Sequence, residues 1–362
     1  MGDIMKEIVE DWPNVKERWR AWWERDLYDR AVICVTAQRD GVALPEIPDV
    51  DPETQWTDMD HIIHRTLERI RTTYFGGEAT PLLKHRWSLG NTLLFGCKPR
   101  FREDTVWMDP PPAEEDGYPV LTGWRGSPWW RWMRESTEAL ARASQGRYYL
   151  MPSWGNDNGD ILSLVRGTEQ LMMDIVFDPG WVKPAMQTIS DIMIEVFEEL
   201  WSCVAPQITK REGYSSHPGC WSPTRSFCFA CDMSALISPE AFKEFFLPPM
   251  LETMHSVDYR IYHLDGPGAL QHLDTLLDLS EIHAIQWVPG AGRRDLKQWI
   301  PLLQYIQGKG KGVCVKPKPQ EVELLMRELE PEGLCMHTQC KTETEARELV
   351  DLVARLSTQH IG

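Results

Sequence analysis

The segment from Tyr259 to Cys340 gives the clearest indication of the fold. It contains YRIYHLD (Tyr259–Asp265), HAIQWVP (His283–Pro289), GVCVKP (Gly312–Pro317) and LCMHTQC (Leu334–Cys340). Each of these segments is a short apolar run that ends in polar residues, and longer segments with helical patterning separate them. Short buried strands that alternate with helices are typical of βα units around a parallel sheet. An open sheet and a closed barrel share this alternation, so the pattern leaves both architectures open.

The same alternation of strands and helices extends towards the N-terminus. Strands are predicted at SFCFACD (Ser226–Asp232), at YYLMPSW (Tyr148–Trp154) and at the β-branched run AVICVTA (Ala31–Ala37). Further helices are predicted near residues 160–176, 180–204, 239–256, 267–278, 294–306, 319–329 and 343–356. Residues 15–25 predict a helix whose Trp19, Trp22 and Trp23 form one apolar stripe. The pattern loosens around residues 40–146, where we expect insertions.

Composition limits the class of function. The chain has 362 residues, a net charge of −16 and no dense basic patch, so no nucleic-acid partner is expected. No apolar run approaches the roughly 20 residues that span a bilayer, and the first residues lack a signal core, so a cytoplasmic protein without a membrane partner is expected. The 9 cysteines are an odd number, which favours reduced thiols over a disulfide framework.

Four segments resemble the uroporphyrinogen decarboxylase superfamily, which includes zinc-dependent methyltransferases that use corrinoid proteins or folate. They are LGNTLLFGCKPRFREDTVWMDP (Leu89–Pro110), LVRGTEQLMMDIVFDPGWVKPAM (Leu164–Met186), CDMSALISPEAFKEFFLPPM (Cys231–Met250) and YHLDGPGALQHLDTLLDL (Tyr262–Leu279). The resemblance implies an α/β fold of the (β/α)₈ TIM-barrel type over residues 31–362, with insertions around 40–146. Residues 1–30 would form an N-terminal helical extension, and the active site would lie at the C-terminal ends of the strands.

The decarboxylase branch is disfavoured. Its members hold the porphyrin carboxylates with arginines after the first strand, whereas this chain reads VTAQRDG (Val35–Gly41) with Arg39 alone. A substrate with eight carboxylates needs several cationic partners. We expect few cations at the mouth beyond Lys316, and therefore no turnover of uroporphyrinogen.

The resemblance also implies a metal site. Methyltransferase relatives carry H-x-C where this chain has His263-Leu264-Asp265, and they add a cysteine from the last strand. Alternate residues on a strand share a face, so His263 and Asp265 are expected to meet Cys335 around zinc. Asp265 in place of cysteine makes the site less thiophilic. The alternative is that Asp265 bonds backbone atoms and that His263 contacts substrate directly.

Other candidate site residues lie at the predicted strand ends. Asp232 and His337 are candidates for acid–base groups, and Cys335 and His337 should face the same way. Substrate contacts are expected from Trp154, Asn156, Asp157, Trp221, Gln286, Trp287 and Lys316. The three tryptophans in this set are predicted to form an aromatic wall for a ring or a methylammonium group.

The leading interpretation is an enzyme that transfers a methyl group between a small methylated substrate and a corrinoid or tetrahydrofolate, with a corrinoid protein as one candidate partner. An alternative is a lyase or hydrolase that uses Asp232, Asp265 and His337 on a carboxylated or sugar-like ligand. A third is a ligand-binding barrel without catalysis. The sequence names neither the substrate nor the oligomeric state.

Overall fold

The structure, a computed structural model of the chain, describes residues 5–85, 87, 90–112, 117–152, 158–208, 213–290, 292–293 and 295–360. Helices and strands alternate over most of these ranges. None of the helices in the described ranges has the length and apolar character needed to cross a bilayer.

A seven-stranded sheet forms the centre of the fold. Its strands in spatial order are β2 (Thr73–Gly77), β1 (Val32–Gln38), β13 (Leu334–Thr342), β12 (Gly312–Val315), β11 (Ala284–Val288), β10 (Tyr259–Asp265) and β9 (Ser226–Ala230). Strands from β1 to β9 in this order pair in parallel, and β2 runs antiparallel to β1. The C-terminal ends of the parallel strands therefore meet at one edge of the sheet.

Three two-stranded sheets accompany the central sheet. They pair β3 (Leu82–Lys84) in parallel with β6 (Tyr149–Met151), and form the hairpins β4 (Lys98–Phe101) with β5 (Val106–Asp109) and β7 (Tyr214–Ser216) with β8 (Cys220–Ser222). Strand β7 contacts both β6 and β9. Strand β7 of this hairpin therefore lies close to both β6 and β9.

From β9 to the end of the described chain, each strand of the central sheet is followed by at least one helix. The helices are α1 (Met5–Ile8), α2 (Trp12–Glu24), α3 (Pro52–Thr57), α4 (Met59–Thr72), α5 (Pro128–Ser144), α6 (Asn158–Arg166), α7 (Thr168–Phe177), α8 (Pro179–Ile208), α9 (Pro239–Ala241), α10 (Leu247–Met254), α11 (Leu273–Leu277), α12 (Ile300–Gly308), α13 (Val322–Glu328) and α14 (Glu343–His360). A π-helical turn, Phe242–Phe246, joins α9 to α10. Turns of 3₁₀ helix precede α11, α12 and α13.

Alternation along the strands separates two apolar cores. On β11, Ile285 and Trp287 belong to the core between the sheet and the helices, whereas Ala284 belongs to the core on the other face. That second core, the interior core, takes one or two residues from each of several strands. Among its members are Val32, Cys34, Cys228, Ile261, Ala284, Cys314 and Cys335.

Helix α2 closes the interior core at the N-terminal ends of the strands. Trp19 and Trp22 are buried in this core, and the indole of Trp22 donates to the carbonyl of Gly333 at 2.8 Å, just before β13. The Trp23 indole donates to the Trp221 carbonyl at 2.9 Å. Each of the three indoles buries on the order of 200 Å² of surface, so α2 makes a large apolar contact with the interior core.

The expected α/β class with a parallel sheet is confirmed, and the element ends shift by a few residues. The predicted first helix begins at Trp12 instead of residue 15, because Pro13 fits the first turn of a helix. The predicted region of insertions holds α3, α4, the short strands β2 to β5 and α5. These elements are local, and their apolar periodicity is too short to predict reliably.

Candidate functional site

Three cysteines and one histidine meet in the interior core. Cys220 on β8, Cys314 on β12, and Cys335 and His337 on β13 place their donor atoms within 4.8 Å of one another. The Nε2 atom of His337 lies 3.3 Å from Sγ of Cys335 and 3.8 Å from Sγ of Cys220. The three cysteines are buried and His337 is half-buried. We call these four residues the thiol–imidazole cluster.

Strand register explains two of the cysteines. Cys314 and Cys335 are directly paired across the parallel strands β12 and β13, and both face the interior. His337 lies two residues after Cys335, on the same face and nearer the C-terminal edge. Cys34 on β1 is paired with His337 and lies beside the cluster.

Cys220 reaches the cluster through the β7–β8 hairpin. The adjacent Trp221 is fully buried, and its indole donates to the hydroxyl of Tyr149 at 3.1 Å. Gly219 has a φ of +130°, and a Cβ atom there would lie 3.4 Å from Cε1 of His337. The hairpin backbone therefore passes directly against the imidazole.

Opposite charges inside the cluster stabilise each other. Burial alone would lower the pKa of His337, but negative charge on Cys34 and Cys314 raises it well above its usual range. Burial would raise the pKa of Cys34, but a hydrogen bond from Cys335 and the charge of His337 lower it to about 7. In Cys314, hydrogen bonds from Cys220 and Cys335 outweigh burial and hold the pKa well below the ordinary thiol value. The cluster therefore favours thiolate at Cys314 and Cys34.

The pKa values of the other two thiols, Cys335 and Cys220, are raised instead of lowered. Burial raises the pKa of Cys335, and the hydrogen bonds that Cys335 makes to neighbouring thiols raise it further. Burial also raises the pKa of Cys220, which hydrogen-bonds to Cys314. Cys220 and Cys335 thus keep their protons and donate hydrogen bonds to Cys314, which accepts them.

A cavity of about 940 Å³ opens above the cluster. Cys34 and His337 lie in its wall, together with Gln286 and Lys316 from the ends of β11 and β12. The wall also includes His217, whose Nδ1 lies 2.6 Å from Nζ of Lys84. The cavity is thus continuous with the C-terminal edge of the parallel strands.

A second group, the acid–histidine cluster, lies at the ends of β9 and β10. Donor atoms of Asp232, His263 and Asp265 come within 4.8 Å of one another, and both carboxylates are exposed. The pKa of Asp232 is raised overall. Desolvation and the charge of Asp265 raise it, and the charge of His263 opposes this rise only in part. Backbone N–H groups of Asp232 and Met233 donate to the Asp160 carboxylate at 3.1 and 2.9 Å, which fixes the start of this turn.

His263 is oriented by a neighbouring amide. Its Nδ1 lies 2.7 Å from Oε1 of Gln286, and the same oxygen lies 3.7 Å from Sγ of Cys228. An amide oxygen only accepts, so Nδ1 carries the proton and Nε2 is left to bind a proton or a ligand. Gln286 therefore links the acid–histidine cluster to the cavity.

The structure divides the residues that the sequence placed in one metal site. His263 and Asp265 belong to the acid–histidine cluster, whereas Cys335 belongs to the thiol–imidazole cluster. The expected common face of Cys335 and His337 is seen in the 3.3 Å contact between them. The expected alternative role of Asp265 is not seen, because its carboxylate makes no hydrogen bond within the described residues.

Two of the expected substrate residues lie away from the cavity. Trp287 faces the helices and packs on Trp299 with ring centroids 4.8 Å apart, because it alternates with the inward-facing Gln286. Trp221 is fully buried in the interior core below the cavity. They lie on opposite faces of the sheet, so the expectation that they share one aromatic wall is corrected. Trp154, Asn156 and Asp157 lie outside the described residues.

Sequence reasoning missed Cys220, Cys314 and the cations of the cavity. A signal for Cys314 was present, since VICV, FCF, GVCV and LCM each place one cysteine in a predicted strand. Cys220 lies in a short hairpin without periodicity. The expectation of a mouth poor in cations was wrong, because Arg69 on α4, Lys84 on β3 and Lys341 on β13 line the cavity with Lys316.

The donor set of the thiol–imidazole cluster suits zinc. Structural and catalytic zinc sites use thiolate and imidazole ligands, and Cys₃His is a common combination. Sulfur ligands around a tetrahedral zinc lie about 3.8 Å apart for bonds of about 2.3 Å, a spacing that donor atoms within 4.8 Å of one another can adopt by small side-chain movements. The acid–histidine cluster offers mostly oxygen and suits a harder cation.

Comparison with known proteins supports the fold. The sequence matches no protein-family model, and no curated protein matches it. Among solved structures, a methyltransferase from Methanosarcina mazei matches with a TM-score of 0.62 and 12% identity, over 96% of this chain and 99% of the other. At this identity the likeness shows that the two chains share a fold over nearly their whole length.

Proposed function

We propose that this protein is a methyl-transferring enzyme of the uroporphyrinogen decarboxylase superfamily that acts on a thiol. The observation that carries the proposal is the thiol–imidazole cluster at the floor of a cavity of about 940 Å³. The shared fold with a methyltransferase agrees with it. A corrinoid, free or protein-bound, or a methylated folate would be the other partner.

The residues of the cluster would hold zinc. Cys220, Cys314, Cys335 and His337 supply three sulfurs and one nitrogen. Bound zinc would supply Lewis acidity and favour the thiolate form of a thiol ligand. His337 is the member that faces the cavity, and it is held between the buried cysteines and the space for substrate.

Closure of the sheet into a barrel is also proposed. The parallel pair β3–β6 would stand between the two edge strands of the central sheet, β2 and β9, and bring the number of parallel strands to eight. Two observations support this placement: β7 contacts both β6 and β9, and Tyr149 of β6 belongs to the interior core. In such a barrel the cavity lies at the C-terminal mouth.

A second candidate function is acid–base catalysis without methyl transfer. It is favoured by the acid–histidine cluster, in which Asp232 has a raised pKa and His263 is held in one tautomer by Gln286. Such a set suits a lyase or a hydrolase. His337, which the sequence grouped with Asp232 and Asp265, lies in the other cluster.

Methyl transfer from methylcobalamin to a small thiol tests the leading proposal. The carbon–cobalt bond breaks, the carbon–sulfur bond forms, the thiol proton is released, and cob(I)alamin keeps the electron pair. Zinc-replete protein should show this turnover with about one zinc per chain. Cys314→Ala and His337→Ala should lose zinc and reduce the rate at least a hundredfold.

Cys97→Ala is the matched control, because Cys97 is a buried thiol that lies in the core between sheet and helices. It should keep zinc and activity. Zinc that stays stoichiometric in Cys314→Ala would contradict the proposed ligands. Conversion of uroporphyrinogen to coproporphyrinogen by the pure protein would contradict methyl transfer as the function.

A further inference from the structure

Four thiols converge in the interior core, one more than the zinc ion of the proposed function requires. Cys34, on β1, lies beside the three cysteines of the thiol–imidazole cluster, and all four are buried free cysteines. Hydrogen bonds join Cys335 to each of the other three thiols. Cys335 is therefore the member of this group with the most sulfur neighbours.

Strand register selects one partner for Cys335. Cys314 and Cys335 are paired directly across β12 and β13, and both face the interior core. Neighbouring strands lie about 4.8 Å apart, which is within the Cα separation of about 4.4 to 6.8 Å that a disulfide spans. The two Sγ atoms lie within 4.8 Å of each other, and side-chain rotation can shorten this distance. Cys34 is paired with His337 instead, so it is a diagonal neighbour of Cys335.

The cavity gives a small oxidant access to these thiols. Cys34 and His337 line the cavity of about 940 Å³, and Sγ of Cys335 lies 3.3 Å from Nε2 of His337. Hydrogen peroxide is only about twice the size of a water molecule, which occupies about 30 Å³ in the liquid. Buried cysteines are inert where no reagent reaches them. The cluster combines neighbouring thiols with a route from solvent.

We propose that the thiol–imidazole cluster is a redox-sensitive site in which a peroxide joins Cys314 and Cys335 in a disulfide. The S–S bond forms and the O–O bond breaks. Two electrons pass from sulfur to oxygen, and the two thiol protons leave in two molecules of water. Where zinc is bound, two protons from solvent take the place of the thiol protons, and the ion is released. The loss of zinc rests on the proposed function, whereas the disulfide does not.

Peroxide treatment of the purified protein tests the disulfide. Thiols that react with N-ethylmaleimide in denaturant are counted before and after exposure to hydrogen peroxide. The count should fall by two from the 9 cysteines of the chain, and dithiothreitol should restore it. Zinc measured in the same samples should fall from about one per chain to near zero and bind again after reduction.

Peptide mapping without reduction identifies the pair. Trypsin separates Cys314, in Gly312–Arg327, from Cys335, in Glu328–Lys341, and the two peptides should appear as one cross-linked species. Cys335→Ala should abolish this species. Cys340→Ala is the matched control, because Cys340 lies on the same strand and the same peptide but belongs to the core between the sheet and the helices. It should retain the cross-link.

Three results would overturn the inference. They are an unchanged thiol count after peroxide, a loss of thiols that dithiothreitol does not restore, and a cross-link that persists in Cys335→Ala. A disulfide in protein that shows neither zinc nor methyl transfer supports the inference while the proposed function fails. Zinc and methyl transfer in a protein whose two peptides stay separate would refute the redox-sensitive site alone.

Discussion

His337 is the residue on which the charges of the interior core depend. It lies among thiols that are otherwise buried, and negative charge on Cys34 and Cys314 raises its pKa well above the usual range. A charge buried without a partner costs several kcal/mol, so the imidazolium and the thiolates require each other in the absence of a metal. A zinc ion would take over the role of the positive charge and bind the deprotonated thiols instead.

His85 gives a residue-scale prediction about pH. Burial lowers its pKa to about 4, and its Nε2 contacts Ser136 Oγ at 2.7 Å. The unfolded chain binds a proton at this histidine below pH of about 6.5, whereas the folded chain does not until about 4. The contribution of neutral His85 to the free energy of unfolding is therefore fully present above pH 6.5. It falls by up to about 3 kcal/mol as the pH falls towards 4.

His85→Gln, which keeps a hydrogen-bonding group beside Ser136, should remove much of this loss. Urea unfolding at pH 7.5, 6.5, 5.5 and 4.5 measures it. His283, whose pKa burial also lowers to about 4, contributes in the same window, and so do His272 and His61, whose pKa values burial lowers as well. A variant with the same pH slope as the unmodified protein would show that His85 is protonated alike in both states.

At the scale of elements, the β7–β8 hairpin decides whether the cluster is complete. Gly213 precedes it with a φ of +105°, and a Cβ atom there would lie 2.3 Å from Cζ2 of Trp221. Because Trp221 is fully buried and adjacent to Cys220, it has no room to move without shifting the hairpin. The hairpin thus depends on one glycine for its packing.

Gly213→Ala should destabilise the protein by about 3 kcal/mol or more, since overpacking adds to backbone strain. It should also lower the zinc content by displacing Cys220. Gly41→Ala is the control, because Gly41 also has a positive φ, +72°, but no atom lies within 4 Å of the added Cβ. It should cost only about 1 kcal/mol. Urea unfolding and metal analysis distinguish the two; equal losses would mean that Trp221 accommodates the methyl group.

The elements differ in how well the sequence predicts them. Strands such as β10 and β13 are predictable because their apolar runs end in polar residues, and α2 because its tryptophans recur at helical spacing. The β7–β8 hairpin has three residues in each strand, too few to show a period. Cys220 could therefore not be assigned to the cluster from sequence, although the other members lie on predictable strands.

On the scale of the whole molecule, the likeness to a methyltransferase over 96% of the chain agrees with the fold class that alternation predicted. The proposed closure into a barrel could not be predicted from the sequence, because β3 and β6, the strands that it requires, have three residues each and show no period. The charge of the cavity could not be predicted either. Its cations lie on α4, β3 and β13 and directly after β12, and they meet only in the folded chain.

X-ray absorption at the zinc edge of the purified protein identifies the atoms that bind the proposed zinc ion. The thiol–imidazole cluster should hold one zinc per chain, with three sulfur atoms at about 2.3 Å and one nitrogen at about 2.0 Å. In Cys314→Ser the sulfur count should fall to two, or the metal should be lost. Zinc bound only by oxygen and nitrogen atoms, as Asp232, His263 and Asp265 would provide, would rule out the thiol–imidazole cluster as the zinc site.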